Sequence, residues 1–109
     1  MFIVLYEFVI KAGFENQFES NWHIQTEYIY KLRGSLGSRL HRAKDGTYIA
    51  YAQWPSEEKY FAEVTMPLES VAAHRLMKDA CSEIKTLKLM TVTDDLLKKN
   101  RPSYLQTIF

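Results

Sequence analysis

Three side chains of the sequence could exchange a proton or hold a developing negative charge, namely His41, His74 and Arg39. An imidazole titrates near neutral pH and can act as a general base, and a guanidinium can stabilise a phenolate or an enolate. We take these three as candidate catalytic residues. Each has an ordinary alternative, because exposed histidines and surface ion pairs are the commoner fate of such side chains.

A second group of side chains could line a binding site, since it combines amide, indole and phenol groups. Asn21 and Gln25 lie beside or within an apolar helical stripe, where a buried amide without a partner costs about 1–3 kcal/mol. They therefore either reach the margin of the stripe or face a space for water or a ligand. The indoles of Trp22 and Trp54 are also typical of a packed core with a satisfied N–H. The candidate binding residues are Asn21, Trp22, Gln25, Tyr6 and Tyr51.

Charge and cysteine content exclude several classes of function. The 109 residues include 14 Lys and Arg against 13 Asp and Glu, a formal net charge of +1, which favours neither nucleic acid nor an anionic membrane as a partner. The single Cys81 forms no internal disulfide, and no spacing of Cys and His predicts a zinc site. The apolar run over 2–10 is too short to cross a bilayer and lacks the marks of a signal peptide. We expect a cytoplasmic protein.

The elements that must position these residues follow from hydrophobic period and turn residues. Alternating apolar residues predict a first strand over Phe2–Ile10, and a helix follows from Phe14, with Gly34 as its C-cap. The stripe of this helix is predicted to be Phe18, Trp22, Gln25, Ile29 and Leu32. A hairpin over Ser35–Pro55 turns at Asp45-Gly46 and supplies the second and third strands.

The second half of the chain repeats the change from helical to strand period. Ser56 is predicted to cap a short helix, and Pro67 to lie in the first turn of a helix from Leu68 to about Glu83. A fourth strand is expected over 84–93, followed by a tail over 94–109 whose apolar end should dock on the core or on a partner.

The predicted fold class is α+β: one domain over 1–109 with the ferredoxin-like order βαββαβ, a four-stranded antiparallel sheet and helices on one face. The first strand is apolar on both faces, because Phe2, Val4, Tyr6 and Phe8 alternate with Ile3, Leu5, Glu7 and Val9. Helices of this chain can cover only one of those faces. We therefore predict a homodimer that packs sheet to sheet.

Several segments of the first half of the chain resemble the antibiotic biosynthesis monooxygenase (ABM) family. They are FIVLYEFVIKAG at the start, Phe18 and Trp22 in the first helix, GSLGSRLHR, and above all DGTYIAYAQWPSEEKY. The resemblance covers residues 2 to about 60 and implies a dimeric α+β barrel. It also implies oxygenation of a small aromatic or quinol-type molecule without metal, flavin or other cofactor, in a pocket between sheet and helices.

A haem-degrading branch of the same family provides a second expectation. Its members use an Asn on the first strand, a Trp at the end of the helix after the third strand, and a haem-ligating His on the next helix. Here Tyr6 stands near the Asn position, no Trp follows Trp54, and His74 alone lies near its expected place. Three hypotheses follow: a cofactor-free oxygenase, a non-catalytic small-ligand-binding or structural dimer, and a haem-binding protein.

Overall fold

A four-stranded antiparallel sheet organises this computed structural model, which describes residues 1–97. The strands lie in the order β2-β3-β1-β4, so the first strand is central and the fourth is an edge. The α+β, ferredoxin-like prediction is confirmed. The elements are β1 (Phe2–Ile10), α1 (Glu15–Leu32), β2 (Gly37–Arg42), β3 (Tyr48–Trp54), α2 (Glu57–Phe61), α3 (Leu68–Asp79) and β4 (Cys81–Thr91).

The first strand has the predicted bounds and the predicted two faces. Phe2, Val4 and Phe8 are buried in the core that the helices cover. Antiparallel pairing with β3 matches Val4 to Ala52 and Phe8 to Tyr48, so alternate residues of both strands share the helix-covered face. The other residues of each strand point to the opposite face.

The hairpin turn is longer than a two-residue loop. Ala43 and Thr47 form its closing backbone bond, with 2.8 Å between the Ala43 nitrogen and the Thr47 oxygen. Gly46 alone in the turn has positive φ, at 90°, which a residue with a Cβ rarely adopts. The Asp45 carboxylate accepts hydrogen bonds from the backbone N–H and hydroxyl of Thr47 and thereby fixes the loop.

The short helix α2 begins as predicted, because the Ser56 hydroxyl accepts a hydrogen bond from the Lys59 N–H. Two boundaries near α3 were predicted wrongly. Pro67 lies just before the helix, at its N-cap position, and α3 ends at Asp79 instead of about Glu83. The residues from Cys81 onward fit both a helical stripe and strand alternation, and pairing of Cys81 with Ile10 makes them the start of β4.

The core is divided into two groups of buried residues under the two ends of the helix layer. One contains Phe8, Phe18, Tyr48 and Met77, with Ala50 and Ala80, and the other contains Phe2, Val4, Ala52 and Trp54. The predicted stripe of α1 is therefore only partly buried. Phe18 is inaccessible to solvent, Trp22, Gln25 and Ile29 are half-buried, and Leu32 is exposed. Between the two groups α1 does not pack tightly against the sheet.

The opposite face of the sheet carries no helix among residues 1–97. Leu5, Ile49 and Tyr51 lie on it and are half-buried. A homodimer that covers this face stays a prediction. The expectation for the apolar chain end concerns residues that mostly lie outside the described ones.

Candidate functional site

A cavity of about 520 Å³ lies between the sheet and helices α1 and α3. It exists because the helix-facing side of β3 has small side chains in its middle, Ala50 and Ala52, and bulky buried ones at its ends, Tyr48 and Trp54. Its volume is in the range of small-molecule sites. The lining is Tyr6, Phe8, Trp22, Gln25, Thr26, Ile29, Arg33, Ser38, Ala50, Ala52, Trp54, His74, Met77, Lys78 and Ile84.

At the rim of this cavity α1 and α3 bring Gln25 and His74 together. The Gln25 Nε2 lies 2.6 Å from the His74 Nδ1. If the amide nitrogen donates in this contact, Nδ1 is unprotonated and a neutral ring carries its proton on Nε2. An amide turned by 180° instead accepts from the Nδ1–H and leaves Nε2 unprotonated. Partial burial lowers the pKa of His74, and the positive charge of Lys78 lowers it further. The lowered pKa favours the neutral imidazole.

A second polar group lies deeper, against the sheet. The hydroxyl oxygens of Tyr6 and Tyr60 are 2.9 Å apart. Burial, followed by this hydrogen bond, raises the pKa of Tyr6. Tyr6 therefore remains a neutral phenol at physiological pH, and it can donate or accept a hydrogen bond but not act as a base.

Arg33 and Trp54 form the end of the cavity beside the two phenols. The Arg33 Nη2 donates to the Tyr60 carbonyl over 2.6 Å, and its guanidinium carbon lies 5.0 Å from the centre of the Trp54 ring. The expected partner of the Trp54 indole N–H is missing: this N–H is buried without a hydrogen-bond acceptor among residues 1–97. The Trp54 ring instead stacks under Arg33 and meets the Tyr60 ring at 70°.

Four of the candidate residues from the sequence line this cavity: Tyr6, Trp22, Gln25 and His74. Asn21 lies next to them on α1, but its amide donates to the Gln17 carbonyl one turn earlier and does not line the cavity. The roles assigned to all five residues stay predictions.

The remaining three candidates, Arg39, His41 and Tyr51, lie on the opposite face of the sheet. The β2–β3 register pairs Arg39 with Tyr51 and His41 with Ile49, all on the side without helices. They line a second, shallower depression of about 480 Å³ together with Leu5 and Gln53. The sheet separates them from Gln25 and His74, so the eight candidates do not form one site.

Among the residues that sequence reasoning missed are Arg33, which lines the cavity, and Tyr60, which bonds to Tyr6 and Arg33 beside it. Arg33 follows the last residue of α1, and the β2–β3 hairpin returns the chain so that Tyr60, 27 residues later, meets it. The pair Ala50 and Ala52, between Tyr48 and Trp54, was a usable signal. Small residues on the core face of a strand leave room under a helix.

Comparisons with known proteins give matches to structures only. No protein-family model and no curated protein matches the sequence. SnoaB, a cofactor-independent oxygenase from Streptomyces nogalater, superimposes with a TM-score of 0.67 at 16% identity over 89% of this chain and 97% of its own. The chain has the fold of the ABM proteins.

Two further structures match the same ABM-type fold. A protein from Nitrosomonas europaea, provisionally described as an antibiotic biosynthesis monooxygenase, has a TM-score of 0.70 at 12% identity over 86% of this chain and all of its own. Rv0793 from Mycobacterium tuberculosis has a TM-score of 0.70 at 9% identity over 88% and 98%. The resemblance inferred from the sequence is confirmed at the level of the ABM fold.

Two features are absent from residues 1–97. No helix in this range has both the length and the apolar character of a membrane span. No group of three or more His, Cys, Asp or Glu side chains within it is placed to hold a metal ion.

Proposed function

We propose that this chain is an ABM-like oxygenase that binds a small aromatic or quinol-type molecule in the helix-side cavity and oxygenates it without a cofactor. The observation that carries this proposal is the cavity itself: about 520 Å³, largely apolar, with a neutral imidazole at its rim. A chain that had kept only the fold would fill this space with side chains. SnoaB, described as a cofactor-independent oxygenase, shares the fold and supports the same chemistry.

The chemistry begins with removal of a proton from the bound phenol or its keto tautomer. His74 is the base through its Nε2: the Gln25 amide, with its oxygen turned toward the ring, accepts a hydrogen bond from the Nδ1–H, and the Nε2 lone pair takes the proton of the substrate. The resulting anion is rich in electrons and reduces dioxygen. One oxygen atom then replaces two hydrogens on a ring carbon as a carbonyl, and the other leaves as water with those hydrogens. This stoichiometry needs no external reductant.

The apolar walls contribute by excluding water from the anion and by orienting its ring. Trp22, Phe8 and Met77 provide flat and adaptable apolar surface for an aromatic ligand. The Tyr6 hydroxyl supplies a neutral hydrogen-bond donor for a substrate oxygen.

The test is oxygen consumption against a panel of quinols and anthrone-like phenols. Gln25→Ala releases His74 and should lower the rate about tenfold or more, since misplaced catalytic groups lose that much. Trp22→Phe should raise the substrate concentration needed for half-maximal rate. Gln53→Ala, which removes an amide on the opposite face, is the matched control and should leave uptake unchanged.

Two results would contradict the proposal. Unchanged uptake in both cavity variants would remove the cavity from the reaction. Binding of panel members without any uptake would favour the non-catalytic ligand-binding alternative.

The proposal also covers the oligomeric state and the cellular compartment. A second copy of the chain covers the sheet face that carries Leu5, Ile49 and Tyr51, since no helix of residues 1–97 does so. The cytoplasm is the compartment, as the single cysteine favours.

Haem binding is a second candidate, supported by the place of His74. Its Nε2 has no hydrogen-bond partner among residues 1–97, and it is free to ligate iron in the tautomer in which Nδ1 donates its proton to the Gln25 amide oxygen. Against it, Tyr6 occupies the approximate position of the strand-one Asn, and α2 carries Tyr60 and Phe61 where a Trp is expected. Mixing with haemin decides the matter: a Soret band that His74→Ala abolishes supports haem binding, and no band rejects it.

A further inference from the structure

We propose that Arg33 makes the helix-side cavity selective for an aromatic ligand that carries a carboxylate. The inference rests on the proposed ligand-binding role of that cavity and goes further by naming the charge of its ligand.

The first observation is the charge of the lining. Among the described residues that line the cavity, the charged ones are Arg33 and Lys78, and none is an Asp or Glu. No carboxylate of residues 1–97 forms an ion pair with either cation. A ligand that brings a negative charge would meet uncompensated positive charge.

The second observation is the setting of Arg33. Its guanidinium is half-buried, stacks on Trp54 and uses one N–H on the Tyr60 carbonyl. A guanidinium has five N–H donors in a planar fork, which leaves donors for the two oxygens of a carboxylate. The contacts with Trp54 and Tyr60 hold the fork in place before a ligand arrives, which lowers the entropy lost on binding.

The third observation distinguishes Arg33 from Lys78. Lys78 lies on α3 with its side chain exposed, where water screens its charge. Arg33 stacks on Trp54, whose buried indole N–H has no acceptor among residues 1–97, and it lines the same cavity as the Tyr6 phenol. Donor groups thus concentrate at the Arg33 end, which favours an anion there.

The shape of the cavity fits a ligand with its acidic group at one end. Lining residues of α1 run from Trp22 to Arg33, which spans about 16 Å at the helical rise. Gln25 and His74 lie near the Trp22 end of this lining, and Arg33 lies at the other end. A ligand whose carboxylate is bound by Arg33 would therefore extend its aromatic ring toward His74.

A pair of ligands that differ in the carboxylate tests the inference. Binding of 1-hydroxy-2-naphthoic acid and of 1-naphthol is measured by titration calorimetry without oxygen. The acid should bind about tenfold to a hundredfold more tightly than the naphthol, the range of a charge-assisted hydrogen-bond pair. Arg33→Gln should reduce this ratio to below about threefold, and Arg33→Lys should keep part of it because the charge remains.

Lys78→Gln is the matched control, since it removes a positive charge from the same lining. It should leave the ratio within about twofold of the wild-type value, as expected for a charge screened by water. The naphthol affinity reports on whether each variant keeps the cavity intact.

The outcomes separate this inference from the proposed function. Equal binding of acid and naphthol by the wild-type chain, or a ratio that Lys78→Gln abolishes and Arg33→Gln does not, overturns the role of Arg33 and leaves the oxygenase proposal standing. Preference for the acid without oxygen uptake supports the carboxylate site and removes the oxygenase. Failure of both ligands to bind ends both proposals.

Discussion

The two faces of the sheet use the same strands for different purposes. On the helix-covered face Phe8, Tyr48 and Trp54 are buried, and small residues between them leave a cavity. On the other face Leu5 and Tyr51, which belong to the same two strands, remain half-exposed beside Arg39 and His41. The two faces of the same strands therefore differ: one packs the core of the single chain and borders the cavity, and the other carries no helix of residues 1–97.

The largest expected effect lies on the helix-covered face. Phe18 is inaccessible to solvent, with its ring centre 4.9 Å from that of Phe8 and 5.0 Å from that of Tyr48. Phe18→Ala should lower the free energy of unfolding by about 3–5 kcal/mol, because it loses buried surface and leaves a hole. Denaturant unfolding at two protein concentrations measures it.

The matched variant for this comparison is Ile49→Ala on the open face. If a second copy covers that face, the loss of unfolding free energy caused by Ile49→Ala should grow with protein concentration. The loss caused by Phe18→Ala should not. A cost for Ile49→Ala that is independent of concentration would argue against association through this face.

The second prediction addresses the open face directly. Leu5 lies there opposite Tyr51, in the middle of the sheet. Leu5→Arg should weaken a sheet-to-sheet dimer about a hundredfold, since an unpaired charge would be buried at the contact. Sedimentation at micromolar concentration should then show a dimer for the wild-type chain and a monomer for the variant.

Ile24→Arg provides the control for charge alone, because Ile24 is an exposed residue of α1. It should leave the sedimentation behaviour unchanged. A wild-type chain that is already a monomer would refute the predicted dimer outright.

The third prediction compares one histidine from each face. His74→Ala should lower oxygen uptake about a hundredfold, at the lower end of what a general base contributes. His41 lies on the open face, where its Nδ1 is 3.1 Å from the Ile49 carbonyl oxygen, and His41→Ala should change uptake less than about twofold. The opposite result would move the chemistry to the other side of the sheet.

The smallest effect is the dependence of stability on pH. Folding lowers the pKa of His74 from its ordinary value of 6.5, mainly through burial. The unfolded chain therefore binds more protons just below that value, so this contribution destabilises the fold as the pH falls below 6.5. The free energy of unfolding, measured for wild type and His74→Gln between pH 5 and pH 7, should fall less steeply with decreasing pH in the variant. Equal pH dependence in the two proteins would contradict this prediction.

The order of elements was predictable because each has a clear period and a clear boundary residue. The alternation over Phe2–Ile10 and the Asp45-Gly46 turn determine the central strand and the hairpin, and both have their expected places. The boundary between α3 and β4 was not predictable, since Cys81 and Ile84 suit either period. Pairing with β1, a contact distant in sequence, decides it.

The candidate site was only partly predictable, for a different reason. Gln25 stood out as a polar residue in an apolar stripe, and it lines the cavity. Leu40 is the one apolar side chain of β2 and packs against the helix-side core, so alternation places its neighbours Arg39 and His41 on the opposite face. Arg33 acquires its position from the Tyr60 carbonyl across the β2–β3 hairpin, and no local pattern reports such a contact.

Ala50 and Ala52 of β3 determine how deep the helix-side cavity is. Their methyl groups form its floor on the sheet, and the buried Tyr48 and Trp54 on either side keep the core packed. Exchanging Ala50 or Ala52 for a larger residue would reduce the volume of the cavity in steps of single methylene groups, while the hydrogen-bonded sheet would stay the same. Two positions of one strand therefore control the room between sheet and helices.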